Sequence, residues 1–119
     1  MLPKKNRLKK TPEINQVFLK GKFLSCGFLS LKYSIVPGQP FRFAFSIGLS
    51  YSRKATERNR AKRILREIVR KKMGILPDGL DGVFFINKKK LPDSIAEAEK
   101  TLSTVAPIIL QDLIKKQPK

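Results

Sequence analysis

Arg53-Lys54-Ala55-Thr56-Glu57-Arg58-Asn59-Arg60-Ala61-Lys62-Arg63-Ile64-Leu65-Arg66-Glu67-Ile68-Val69-Arg70-Lys71-Lys72-Met73 reads as one helix with two unlike sides. On a 3.6-residue period Ala61, Ile64, Leu65, Ile68 and Val69 share a side, the spacing of a stripe packed on a core. Asn59, Lys62, Arg63, Arg66 and Arg70 fall opposite as a nearly continuous basic stripe. From Arg53 to Lys72 there are ten basic residues against two acidic ones, Glu57 and Glu67. Like charges at i, i+4 repel by a few tenths of a kcal/mol per pair, and a face shaped for solubility alone mixes both signs. A merely solvated cationic face is the alternative. We read the stripe as a rigid row of phosphate and groove contacts, with arginine forks suited to bidentate phosphate geometry.

The totals point the same way. The chain has 119 residues and a formal charge of +17, one domain's length with room for one core. Charge of that size destabilises a compact state and is tolerated where a polyanion neutralises it. Nucleic acid and an anionic membrane surface are the candidates. The helix's apolar side is aliphatic and committed to the core, without the Trp or Phe of an interfacial helix, which disfavours the membrane. No run of about eighteen apolar residues spans a bilayer, and Met1–Arg7 lacks the apolar stretch of a secretory signal. The single cysteine, Cys26, and the absence of histidine exclude an internal disulfide and a Cys/His zinc site. These features fit a reducing, cytoplasmic setting.

Working outward, residues 1–10 form a flexible basic arm, able to order against a polyanion. Thr11-Pro12-Glu13 starts a short helix, with Ile14, Val17 and Phe18 on its apolar stripe and Gly21 as its stop. From Phe23 the period becomes two: Leu29, Leu31, Tyr33 and Ile35 alternate with Ser30, Lys32 and Ser34. After a Pro37–Pro40 turn, Phe41, Phe43, Phe45, Ile47, Leu49 and Tyr51 form a core parity. Arg42, Ala44, Ser46, Gly48, Ser50 and Ser52 form a small, polar one. That second face is either plain solvated sheet or a platform on which a single strand lies close to the backbone. Phe28, sharing the parity of Ser30 and Lys32, is the best candidate there for base stacking.

Beyond the basic helix, Val83-Phe84-Phe85-Ile86 reads as a central strand buried on both sides, followed by the basic loop Lys88–Lys90. Asp93 and Ser94 cap a last helix with Ile95, Ala98, Leu102 and Val105 inward. Pro107 is expected to kink or divide it, and residues 115–119 form a basic tail. The order αβββαβα, with a crossover through the basic helix, predicts an α/β (α+β) chain with a parallel pair inside a mixed sheet.

No Ser-His-Asp or Cys-His pairing exists, the nine carboxylates are scattered, and no glycine-rich phosphate loop is present. The chain reads as a binder with no catalytic or metal-ligating residues of its own. A nuclease acting alone is disfavoured on the same grounds. A ribosomal or other RNA-scaffolding protein is the main alternative to the family named next.

Arg58-Asn59-Arg60-Ala61-Lys62-Arg63-Ile64-Leu65-Arg66, led in by Gly48-Leu49-Ser50-Tyr51-Ser52-Arg53-Lys54, resembles the signature of the protein subunit of bacterial ribonuclease P. Asn6-Arg7-Leu8-Lys9, Gln16-Val17-Phe18 with Gly21, and Asp81–Ile86 resemble three further segments of that family in the right order. The resemblance implies a two-layer sandwich of four mixed strands with a left-handed βαβ crossover. It implies a monomer per RNA that assists a catalytic RNA in removing the 5′ leader of precursor tRNA, with Mg²⁺ held mainly by the RNA and no DNA partner. Residues Arg53, Lys54, Arg58, Asn59, Arg60, Lys62, Arg63, Arg66 and Arg70 would meet the catalytic RNA. A cleft lined by Phe18, Phe28, Ser30, Lys32, Arg42, Ser46, Ser50 and Ser52 would hold the leader. The chain departs from the family in a shorter lead-in between Lys54 and Ala55, in Ile14 at a position often aromatic, and in Asn87-Lys88-Lys89-Lys90 after the fourth strand.

Overall fold

The hairpin at Gly27-Phe28 sets the register of the sheet. Strand β1 (Lys22–Cys26) pairs antiparallel with β2 (Leu29–Ile35), Cys26 opposite Leu29. Gly27 takes a left-handed φ of 61° that closes the two-residue loop at no steric cost. The computed structural model describes residues 4–9, 11–35, 38, 40–72, 74–76 and 78–116. Residues 37 and 39 of the expected turn at 37–40 lie outside them.

Strand β3 (Arg42–Ser46) runs parallel to β4 (Leu80–Ile86), and β4 pairs antiparallel with β2, giving the order β1-β2-β4-β3. The parallel pair is joined through helix α2 (Ala55–Lys71), as the crossover pattern predicts. Alternation divides the sheet. Leu29, Leu31, Tyr33, Phe43, Leu80 and Phe84 point to one side and pack with Ala61, Leu65 and Val69 of α2. Helix α3 (Ile95–Lys116) adds Ala98, Leu102, Val105, Ala106, Ile109, Leu110 and Leu113 to that core. On the other side Val83 packs with Val17 of helix α1 (Thr11–Lys20) and with Leu8. Where α1 ends, the Gly21 N–H bonds the Val17 carbonyl at 2.7 Å. A Cβ there would stand 2.3 Å from that oxygen, so the stop accepts no side chain.

Several expectations change. Residues 4–9 of the basic arm are part of the fold: the Asn6 side-chain amide donates to the Phe41 carbonyl at 2.8 Å, and the Leu8 N–H to that of Phe43 at 2.9 Å. Buried Asn6 and Leu8 supply the apolar and polar anchors that the density of lysines conceals. The alternating run from Phe41 ends as a strand at Ser46, and Leu49 is 70% exposed in the turn closed by the Tyr51 N–H on the Gly48 carbonyl. Pro107 does not divide α3; Ala106, Ile109 and Leu110 are buried around it, and that packing outweighs one missing hydrogen bond. Finally, β4 is not buried on both sides along its length, since Phe85 and Ile86 are half-exposed. α2 itself is shorter at both ends than the 53–73 pattern, and the expected tail begins inside α3, which reaches Lys116.

Candidate RNA interface

Three interactions pin the start of α2. Lys54 caps it without a side-chain bond of its own. Ser52 supplies the missing chemistry: its Oγ accepts from the Lys54 N–H at 3.1 Å and donates to Glu57 Oε1. Arg58 Nη1 reaches back to the Ser52 carbonyl at 2.9 Å. Ser52 is therefore a structural brace for the helix start and not part of an open platform. Arg53 and Lys54 stand exposed beside it.

Along the helix the basic stripe divides. Arg60 Nε donates to Glu99 Oε1 of α3 at 2.9 Å, and Arg70 pairs with Glu67 one turn back. The Glu67 carboxyl is held below its usual range chiefly by that hydrogen bond, and the Arg70 guanidinium is raised by the same contact. Arg66 lies with its guanidinium carbon 5.7 Å from the centre of the Phe45 ring, a cation–π placement that holds it on the surface. Among the described residues, Asn59, Lys62 and Arg63 enter no ion pair. With Arg66 they form the unneutralised stretch, and Asn59, Arg63 and Arg66 border one shallow crevice with Glu67. Exposed ion pairs contribute about 0.2–1 kcal/mol, so an incoming phosphate can compete for Arg60 and Arg70.

The other face of the sheet differs more from the sequence reading. Phe28 is 1% exposed and belongs to the main core. It sits in the hairpin turn, where strand parity no longer applies, and its carbonyl accepts from the Asn87 N–H at 2.6 Å. Ser30 is 2% exposed, opposite Phe85. Lys32 Nζ donates to the Phe18 carbonyl at 3.0 Å, near the end of α1, and lies 5.6 Å from the Phe18 ring centre. Arg42 is committed entirely to the fold. Its Nε and Nη2 grip both oxygens of buried Asp81 at 2.8 and 2.7 Å, and Nη1 reaches Glu13 of α1 at 2.9 Å. The Asp81 hydrogen bonds are the main cause of its raised pKa. Ser46 remains exposed, and Ser50 is exposed in the turn after β3.

What the sequence reading missed on this face is aromatic. Phe85 lies 5.7 Å from Phe18 and 6.1 Å from Phe23, centre to centre. Phe23 is 55% exposed, and Ser46 is the register partner of Phe85. The signal was available in β4: giving Asp81 and Val83 one parity places Phe85 with them, away from the core. This side of the sheet thus carries three rings, a lysine and a serine near the end of α1. Among the described residues no three carboxylate, thiol or imidazole groups gather as a metal cage, and Asp81 is already occupied by Arg42.

Comparison with known proteins identifies the family. The family model described as Ribonuclease P matches residues 2–108. The ribonuclease P protein component of Caldanaerobacter subterraneus subsp. tengcongensis is 34% identical over 99% of this chain and 94% of its own. That of Finegoldia magna is 39% identical over 77% and 79% of the two chains. Among solved structures, the RNase P protein from Thermotoga maritima superposes with a TM-score of 0.72 at 27% identity, covering 95% of this chain and 98% of that one. An RNase P protein structure from Staphylococcus aureus shares the fold, with a TM-score of 0.71 at 17% identity over 92% and 93% of the two chains. With the basic helix, its lead-in and the mixed sheet all in place, this chain belongs to the ribonuclease P protein family, the protein component of an RNA-containing endoribonuclease of tRNA processing.

Proposed function

We propose that this protein binds the catalytic RNA of ribonuclease P through the exposed side of α2 and receives the 5′ leader of precursor tRNA beside α1. The observation carrying the first part is the stretch Asn59, Lys62, Arg63 and Arg66, whose cations no carboxylate of the chain neutralises among the described residues. The second part is supported by Phe18, Phe23 and Phe85 with Ser46 at the cleft. Exposed rings offer stacking surfaces to successive bases regardless of sequence. Arg53, Lys54 and Arg58 extend the cationic row toward the start of α2.

In this reading the protein contributes binding and orientation, and the hydrolysis is the work of RNA with Mg²⁺. Among the described residues the carboxylates do not assemble a site that fits the metal, so no protein ligand is assigned to it. One copy acts per RNA in the cytoplasm. The test is reconstitution. The purified protein, added to the catalytic RNA of ribonuclease P at low Mg²⁺, is expected to restore leader cleavage, and the double variant Arg63→Ala/Arg66→Ala to lose most of the effect. Full restoration by the double variant would remove α2 from the interface.

A further inference from the structure

A groove of about 660 Å³ runs between α2 and α3. Ile64, Ile68 and Pro107 give it an apolar floor, and Arg63, Lys71 and Lys72 line it with cations. Its volume falls in the range of sites that enclose small ligands, about 300–1,000 Å³. We infer that this groove is a nucleotide subsite, taking one unpaired ribonucleotide of the RNA that lies along α2, base inward and phosphate on the cationic rim.

Four observations select that occupant. The lining is apolar below and positive above, so a ligand needs a flat apolar body carrying negative charge. The single carboxylate of the lining, Glu67, is answered by Arg70 and leaves the rim's charge uncompensated. Arg63 lines this groove and also the crevice with Asn59 and Arg66, so a strand laid on the basic stripe continues into it. Ser103, on the α3 side, spends its hydroxyl hydrogen on the Glu99 carbonyl at 3.4 Å and keeps an oxygen to accept from a base amino group. A second copy of this chain is disfavoured by its charge of +17.

The inference rests on α2 being the RNA face, and its test reads the groove without the catalytic RNA. Protein labelled at isoleucine methyls is titrated with AMP, with adenosine and inorganic phosphate as controls. AMP is expected to shift Ile64 and Ile68 saturably with a dissociation constant on the order of millimolar. Phosphate alone should leave both methyls in place. Ser103→Trp, which fills the groove from an exposed position, is expected to weaken AMP at least about tenfold. Lys71→Glu serves as a second variant, weakening AMP but not adenosine. Unmoved Ile64 and Ile68, equal shifts with phosphate alone, or an acidic apolar peptide that binds the groove more tightly than AMP would each overturn the subsite. Because reconstitution is scored separately, loss of the groove and loss of the α2 reading are distinguishable.

Discussion

The exposed side of α2 and the α1 side of the sheet both carry arginine and lysine, yet they spend those charges differently. On α2 the cations sit on a helix already held by Ala61, Leu65 and Val69, so Arg63 has no structural task. On the sheet, Arg42 ties α1 to β4 through two carboxylates, and Lys32 ties β2 to the end of α1. Counting positive residues treats the two faces alike; burial and partners separate them. A cation is most available to a polyanion where the fold does not already use it.

The largest expected effect breaks this contrast at Arg42. Asp81→Ala leaves a mostly buried guanidinium facing Glu13 alone, and is expected to cost about 3–5 kcal/mol of stability, read from urea unfolding near neutral pH. A loss below about 1 kcal/mol would return Arg42 to the pool of cations free for RNA. Next in size is the α2 face. With Arg63→Ala/Arg66→Ala, the plot of log affinity against log salt is expected to flatten by about 2, two phosphate contacts having gone. Stability should fall by no more than about 1 kcal/mol, the worth of the Arg66–Phe45 contact. An unchanged slope would place the RNA elsewhere.

The reason α2 was legible is that a solvated helix repeats one geometry for seventeen residues, so angle alone sorts its side chains. Sheet parity persists only as far as the strand does. Phe28 was assigned to the wrong face because the alternation of Ser30 and Lys32 was carried back into a turn. Leu49 was placed in the core because the alternation of Phe41 to Ile47 was carried past Ser46, where pairing with β4 stops. Asp81 and Arg42 meet through the parallel register of β3 with β4, a contact 39 residues apart in sequence. No local pattern announces such a pair. Asn6 and Leu8 were hidden for a related reason: their partners, Phe41 just before β3 and Phe43 within it, lie far along the chain.

Phe23 sharpens the sheet side of the comparison, since it is exposed and its ring lies against that of Phe85. Phe23→Ala is expected to weaken binding of leader-bearing precursor by about fivefold, toward the lower end of what one stacked base contributes. Mature tRNA should be unaffected, and thermal stability should change little. Equal weakening of both substrates would place the leader away from this cleft.

The smallest effect concerns Arg60, where the two kinds of cation meet. Tyr51, buried below the start of α2, has a hydroxyl with no partner among the described residues. Burial, then Glu99 and Glu57, push its pKa up to about 12, while Arg60 pulls it down. A folded-state pKa above the usual tyrosine value of about 10 means that the neutral phenol favours folding below that pH. The contribution fades as pH rises from about 10 through about 12. Tyr51→Phe removes an unsatisfied hydroxyl, so near neutrality stability should rise slightly or hold, within about 1 kcal/mol. At about pH 11 the variant should lose less stability than the parent, as one ionising group is gone. Lysine deprotonation is common to both proteins and cancels in the difference. Combining the change with Arg60→Ala tests the placement of Arg60: if that arginine faces Tyr51 and Glu99, its loss raises the tyrosine pKa further and deepens the alkaline loss of stability wherever Tyr51 is kept. Curves that stay superposed with and without Arg60 would put its charge out in solvent, as available to RNA as Arg63.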